Sequence, residues 1–201
     1  TGSYTDGGWS DSPGIDFSSN YLNCGEVRTI TDITGIKAFG CLVNLLGRGQ
    51  LITSADLSGM QYLKRVDITR NLLTSVDLTG CVSLESFHAG GGMTISCGNN
   101  PASCAWGEIG TGYGWGCTTY AGCICDGDCV DHRTLTSFSA PDSPDLKQIY
   151  LAGQPLTSID LSNNTKLEWI VAGPISGYTT FDLSANNELR YIFLVFTSSL
   201  T

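Results

Sequence analysis

The stretch LTSIDLSNNTKLEWIVAG, residues 156–173, decides how this chain folds. It opens with a short run of the form LTS-x-DL, passes through a polar turn, and restarts as L-x-x-I-x-A. A two-residue alternation that breaks and restarts suits neither one long strand nor one helix. It suits a short structural unit copied along an axis.

The copies are present. Ile52-Thr53-Ser54-Ala55-Asp56-Leu57 returns 21 residues later as Leu73-Thr74-Ser75-Val76-Asp77-Leu78. Leu135-Thr136-Ser137-Phe138 returns 21 residues later as Leu156-Thr157-Ser158-Ile159, and Asp160-Leu161 returns 22 residues later as Asp182-Leu183. The second half of the unit keeps the same step. Its anchors are Leu42/Leu45, Leu63/Val66/Ile68, Leu84/Phe87/Ala89, Leu146/Ile149/Leu151, Leu167/Ile170/Ala172 and Leu189/Ile192/Leu194. A period of about 20–29 residues carrying L-x-x-L-x-L predicts a solenoid. Alternate side chains of a strand face opposite ways, so the anchors point inward and the residues between them outward. One coil cannot bury its own apolar face. Stacked coils can, gaining roughly 1.5–3 kcal/mol for each large side chain buried. The DLS-NN and DLTG segments supply the polar turns.

The phrases ITDITGIKAF, LTSVDLTGCVSLESF and LTSIDLSNNTKLEWI resemble the short-period, internalin-like leucine-rich repeats of secreted bacterial surface proteins. The resemblance covers residues 30–92 and 135–196. It implies a mainly β leucine-rich repeat solenoid, extracellular and non-catalytic, used for binding or adhesion, with no catalytic residues to carry over. Two departures stand out. The Asn that usually follows L-x-x-L-x-L survives only as Asn71, with Gln50, Gly92 and Gln154 in the equivalent places, and a Cys-rich segment interrupts the array. The expected organisation is an N-terminal cap or arm over 1–30, repeats over 31–92, a Cys/Gly-rich insertion over 93–134, and repeats with an uncapped apolar end over 135–201.

Composition narrows the setting. Apolar residues make up 41% of the chain, so it is globular. The net charge is −9, and the ten Lys and Arg form no cluster. Nucleic acid is therefore excluded as a partner, because phosphate backbones need clustered cations. The longest apolar run, residues 191–196, falls well short of the roughly 20 residues of a membrane helix. Nine cysteines among many Gly, Ser, Thr and Asn point to an oxidising, extracellular location. The opening TGSYTDGGWSD lacks a basic and apolar leader, which reads as a processed form. Asn163-Asn164-Thr165 is a glycosylation-type tripeptide with Asn163 as the acceptor.

The interruption contains CGNNPASCAWGEIGTGYGWGCTTYAGCICDGDCVDHR. A Gly-rich, Cys-dense excursion of this kind holds together by disulfides, each adding about 2–4 kcal/mol. The candidates are Cys97, Cys104, Cys117, Cys123, Cys125 and Cys129, with Cys24, Cys41 and Cys81 outside the cluster; since nine is odd, one thiol stays single or pairs with another chain. Cys117, Cys123, Cys125, Cys129 and His132 match no common zinc spacing, so disulfides are the better reading. Asp126, Asp128 and Asp131 form a weak calcium candidate without the EF-hand spacing, and a solvated acidic turn fits better. Trp106, Tyr113, Trp115 and Tyr120 suit a local mini-core more readily than a sugar-stacking surface.

Catalytic signatures are missing from the sequence. His88 falls at an outward strand position with no nucleophile beside it in the chain, and Asp131-His132 accompany no G-x-S-x-G. No P-loop, dinucleotide fingerprint or H-E-x-x-H occurs, so neither enzyme nor cofactor is expected. The outward positions change character along the array. Asn44, Leu46, Arg65, Asp67, Ser86 and His88 give way to Gln148, Tyr150, Trp169, Val171, Tyr191 and Phe193. Tyr150, Trp169, Tyr191 and Phe193 make a candidate binding face, which is core instead where the excursion folds over it. Tyr191, Phe193, Val195 and Phe196 form a candidate self-association end, since an apolar strand edge is a template for another strand. The functional expectation is a structural subunit of an extracellular fibre, stacking with copies of itself. The alternative is an adhesion module that binds a surface protein or carbohydrate.

Overall fold

The computed structural model describes residues 14–18, 30–91, 93–94, 130–131, 134–175 and 182–196. They form a β-solenoid of coils about 21 residues long, built on parallel strands. The strands are β1 (Gly14–Asp16), β2 (Asn44–Leu46), β3 (Ser54–Asp56), β4 (Arg65–Asp67), β5 (Ser75–Asp77), β6 (Ser86–His88), β7 (Met93–Thr94), β8 (Val130–Asp131), β9 (Ser137–Ser139), β10 (Gln148–Leu156), β11 (Ser158–Asp160), β12 (Trp169–Ile175) and β13 (Tyr191–Phe196). One 3₁₀ turn, Thr34–Ala38, is the helical element among the described residues.

Seven strands make the main sheet, in the order β1-β2-β4-β6-β10-β12-β13. Its inner row stacks Leu45, Val66, Phe87, Ile149 and Ile170, all fully buried, and ends on Ile192. The LTS-x-D phrases form the opposite wall, as the pairs β3–β5 and β9–β11. Ala55 and Phe138 point from that wall into the core, where the Phe138 and Phe87 rings lie 5.2 Å apart. The recurrent Asp ends each of these short runs for a local reason. Asp56, Asp77, Asp160 and Asp182 each accept the backbone N–H two residues on, from Ser58, Thr79, Ser162 and Ser184, closing the polar turn.

The 62-residue step between β6 and β10 adds no rung to the main sheet. Gln148 pairs with Ser86 and Tyr150 with His88, so the coils on either side of the excursion stack directly. Within the excursion, β7 and β8 pair antiparallel. On the opposite wall β5 and β9 are not paired. There Thr134 Oγ1 donates to Leu73 O and Ser143 Oγ to Cys81 O, so side chains tie the two coils together.

Buried amides hold the turns. Asn71 donates to Gly47 O and Ile68 O, and its Oδ1 accepts Ile52 N–H. Gln50 and Gln154, which depart from the usual Asn, do the same work. Gln50 donates to Phe17 O and accepts from Ile30, while Gln154 donates to Ala89 O and accepts from Leu135. The longer side chain reaches the same carbonyl from one bond further away. Gly92 lies outside the described residues.

Cys41 and Cys81 are free thiols, which departs from the disulfide reading for those two. Cys81 is buried within the turn that follows β5. It continues an inner row of Met60, Ser143, Asn164 and Asn186, with its thiol directed at Leu57 O, and burial pushes its pKa up to about 11. Asn164 and Asn186 extend that row by donating to carbonyls of the preceding coil. Cys24, Cys97, Cys104, Cys117, Cys123, Cys125 and Cys129 lie outside the described residues, as do Trp106, Tyr113, Trp115, Tyr120, Asp126, Asp128 and His132. For Asp131 the backbone alone is described, within β8.

Candidate binding face and open edge

The outward face of the main sheet is built from two side-chain rows. One runs Asn44, Arg65, Ser86, Gln148, Trp169, Tyr191; the other runs Leu46, Asp67, His88, Tyr150, Val171, Phe193. The expectation that all of these face solvent fails in part. Asn44, Asp67, Ser86 and Val171 are buried, because neighbouring coils place larger side chains beside them.

Asp67 shows how. Its side chain is 1% exposed, Arg48 Nε donates to its Oδ2 at 2.6 Å, and His88 Nδ1 stands 3.7 Å away. Burial works against ionisation, yet His88 and Arg48 outweigh it and hold the carboxyl at about 2. Ser86, two residues earlier on the same face of β6, places its Oγ 3.2 Å from His88 Nε2. Ser86, His88 and Asp67 thus follow the spatial order of a nucleophile, a base and an orienting acid. The arrangement is poorly suited to that chemistry: Ser86 is buried, and the carboxylate of Asp67 is committed to Arg48.

After the excursion the face turns aromatic. Tyr150 and Trp169 stack with centroids 6.0 Å apart and planes 13° apart, and Trp169 and Tyr191 stack at 5.7 Å and 15°. His88 begins the row, 5.9 Å from Tyr150. The ring of Tyr150 rests over Gly90, where an added Cβ would come within 2.3 Å of it. The rings lie nearly face to face along the axis, so each covers part of its neighbour. Tyr191, last in the row, is 45% exposed and has no further described ring on its outer side. Beside the stack a shallow groove of about 430 Å³ is lined by His88, Gln148, Glu168, Trp169, Arg190 and Tyr191.

The edge at β13 is the second candidate. Ile192 occupies the inner row but is 50% exposed, whereas Leu45, Val66, Phe87, Ile149 and Ile170 are at 0%; Ile15, at the other outer strand, is partly buried. The side chains of Val195 and Phe196 lie outside the described set, while Phe193 is half-buried. Asn163 is exposed in a turn, its amide donating to Pro141 O. Among the described residues no group of His, Cys, Asp or Glu could hold a metal ion, and no helix is long and apolar enough to cross a membrane.

No protein-family model matches the chain, and no curated protein matches it.

Proposed function

We propose that the chain is a non-enzymatic extracellular repeat protein of the leucine-rich type, associating end to end with copies of itself as a subunit of a surface fibre. The carrying observation is the half exposure of Ile192 at a register where Leu45, Val66, Phe87, Ile149 and Ile170 are fully buried. A parallel strand added to β13 would cover it.

A second copy offers such a strand. β1 and β13 are the two outer strands of one parallel sheet, so the β13 edge of one copy accepts the β1 edge of the next in the same direction. Extending the observed register sets Gly14 opposite Tyr191 and Ile15 opposite Ile192. Glycine leaves room for the tyrosine ring, and isoleucine continues the inner row. The contact is heterologous and does not close, which is the geometry of a filament. The amide rows of Gln50, Asn71 and Gln154 support the leucine-rich assignment, and the cysteine content supports an extracellular location.

Ile192→Asp tests this reading. Light scattering and electron microscopy should find wild-type chains assembling and the variant staying monomeric, with an unchanged circular dichroism spectrum. Undiminished assembly of the variant would sink the proposal.

The groove beside Trp169 favours a second reading, in which Tyr150, Trp169, Tyr191 and Phe193 bind a protein or carbohydrate. Gln148, Glu168 and Arg190 would supply the polar contacts of such a site. Trp169→Ala should then weaken adhesion to polysaccharide-coated surfaces, and equal adhesion by both proteins would count against it.

A further inference from the structure

A second inner row runs beside the one that ends on Ile192. In the register of the main sheet it passes through Phe17, Gly47, Ile68, Ala89, Leu151 and Ala172, and it ends on Leu194. The first row is bulky from Leu45 to Ile192, whereas this one alternates large and small side chains. Alternation lets each large side chain use the room that a small neighbour leaves, so the interior fills without crowding. Ile68, Ala89, Leu151 and Ala172 are all buried in that pattern.

The main sheet has seven strands, an odd number, so both ends of this row are large. A second copy docked with Ile15 opposite Ile192 brings Phe17 to Leu194, with no small residue between them. On the outward face the same register brings Asp16 to Phe193, a pair without complementarity. The fit of the junction therefore depends on the inner rows.

The first coil already relieves the crowding. Gly47 is the smallest residue of the row, and the Phe17 ring lies in the space that its missing side chain leaves, where an added Cβ would clash with the ring. Alanine, as at 89 and 172, leaves room for part of an aliphatic side chain, but not for a ring. Three hydrogen bonds fix the backbone that carries this ring. Phe17 N–H donates to Leu46 O at 2.9 Å, Gln50 Nε2 donates to Phe17 O at 2.8 Å, and Arg48 N–H donates to Ser18 Oγ at 3.1 Å. With the ring drawn over Gly47, the outermost place in the row is left for an aliphatic neighbour. At the other end Leu194 is half-buried, and no strand follows β13 in this sheet among the described residues.

We propose that Gly47 is a positioning residue of the end-to-end contact: it takes the Phe17 ring into its own rung and so opens a seat for Leu194 of a second copy. The inference rests on the end-to-end reading and names the side chains that set its fit.

The test is assembly of the full chain, followed by light scattering over a concentration series, with denaturation midpoints of the dilute monomers as the folding control. Gly47→Ala keeps both contacting side chains, and the backbone there is not in the left-handed region, so alanine fits it. The added methyl displaces the ring outward. It should raise the concentration needed for assembly by about tenfold, the scale of one methyl forced into a filled core. Leu194→Ala alone should raise it by about three- to tenfold through lost apolar contact. The double variant should assemble more readily than Gly47→Ala alone, because the smaller residue makes room for the displaced ring. A purely structural role for Gly47 would lower the monomer midpoint without that recovery. Undiminished assembly of Leu194→Ala, which leaves the Gly47 seat untouched, overturns the inference. So does a double variant weaker than both single ones. A wild-type chain that never assembles overturns the end-to-end reading itself, so the two failures can be told apart.

Discussion

The two outer edges of the main sheet are unlike. β1 ends it with Gly14, Ile15 and Asp16, a three-residue strand with one apolar side chain. β13 ends it with Tyr191, Ile192, Phe193 and Leu194, and leaves Ile192 half exposed. In the proposed fibre each junction joins these unlike edges, the long apolar one and the short one. A fibre of the proposed kind would therefore be polar.

Substitutions can break this contrast between a sealed interior and an open edge. The largest effect belongs to the interior. Phe87→Ala should cost about 3–5 kcal/mol by chemical denaturation, because it empties a fully buried site against Phe138. Ile192→Ala in dilute monomer should cost about 1 kcal/mol or less, as half of that side chain is already in water. Equal losses would mean that the edge is covered.

Acid sharpens the contrast next. The Asp67 carboxyl is held at about 2 in the folded state against an ordinary value of 3.8. The depressed value stabilises the fold above about pH 4, and that share, about 2 kcal/mol, is lost as pH falls from about 4 to about 2. Denaturation midpoints across this range should fall for the wild type and fall less for Asp67→Asn. A parallel fall in both would contradict the role given to Asp67.

The smallest effect concerns a surface ion pair. Lys64→Ala removes the ion pair with Glu85 and should cost about 0.2–1 kcal/mol, vanishing at high salt. A loss that survives high salt would point to packing by the lysine stem instead.

Much of the coil was legible in the sequence. The anchors Leu45, Val66, Phe87, Ile149 and Ile170 share one face because apolar spacing encodes which side is buried. The polar positions were harder, since an outward polar residue and a buried, paired one look alike in a linear pattern. Asp67 and Ser86 are buried by neighbours from other coils, and Ser86 meets His88 only through strand geometry. Gln50 and Gln154 looked like departures because the reading relied on residue type, while the turn requires a donor and an acceptor at a given reach. The row of Cys81, Ser143, Asn164 and Asn186 recurs three residues before the anchors Leu84, Leu146, Leu167 and Leu189, but its mixed and mostly polar residue types do not announce burial. The edge was partly legible: the apolar run at residues 191–196 announced it, but the exposure of Ile192 needed the stacked coils for comparison.

The axial repeat of assembled material tests the central claim most directly. Seven rungs at about 4.7–4.9 Å give a rise of about 33–34 Å per subunit if β1 of one copy follows β13 of the last without a break. Helical reconstruction by electron microscopy should return that rise, with an uninterrupted strand spacing through the junction. A chain that stays monomeric at high concentration, a closed dimer, or a fibre whose main sheet breaks between subunits would contradict it.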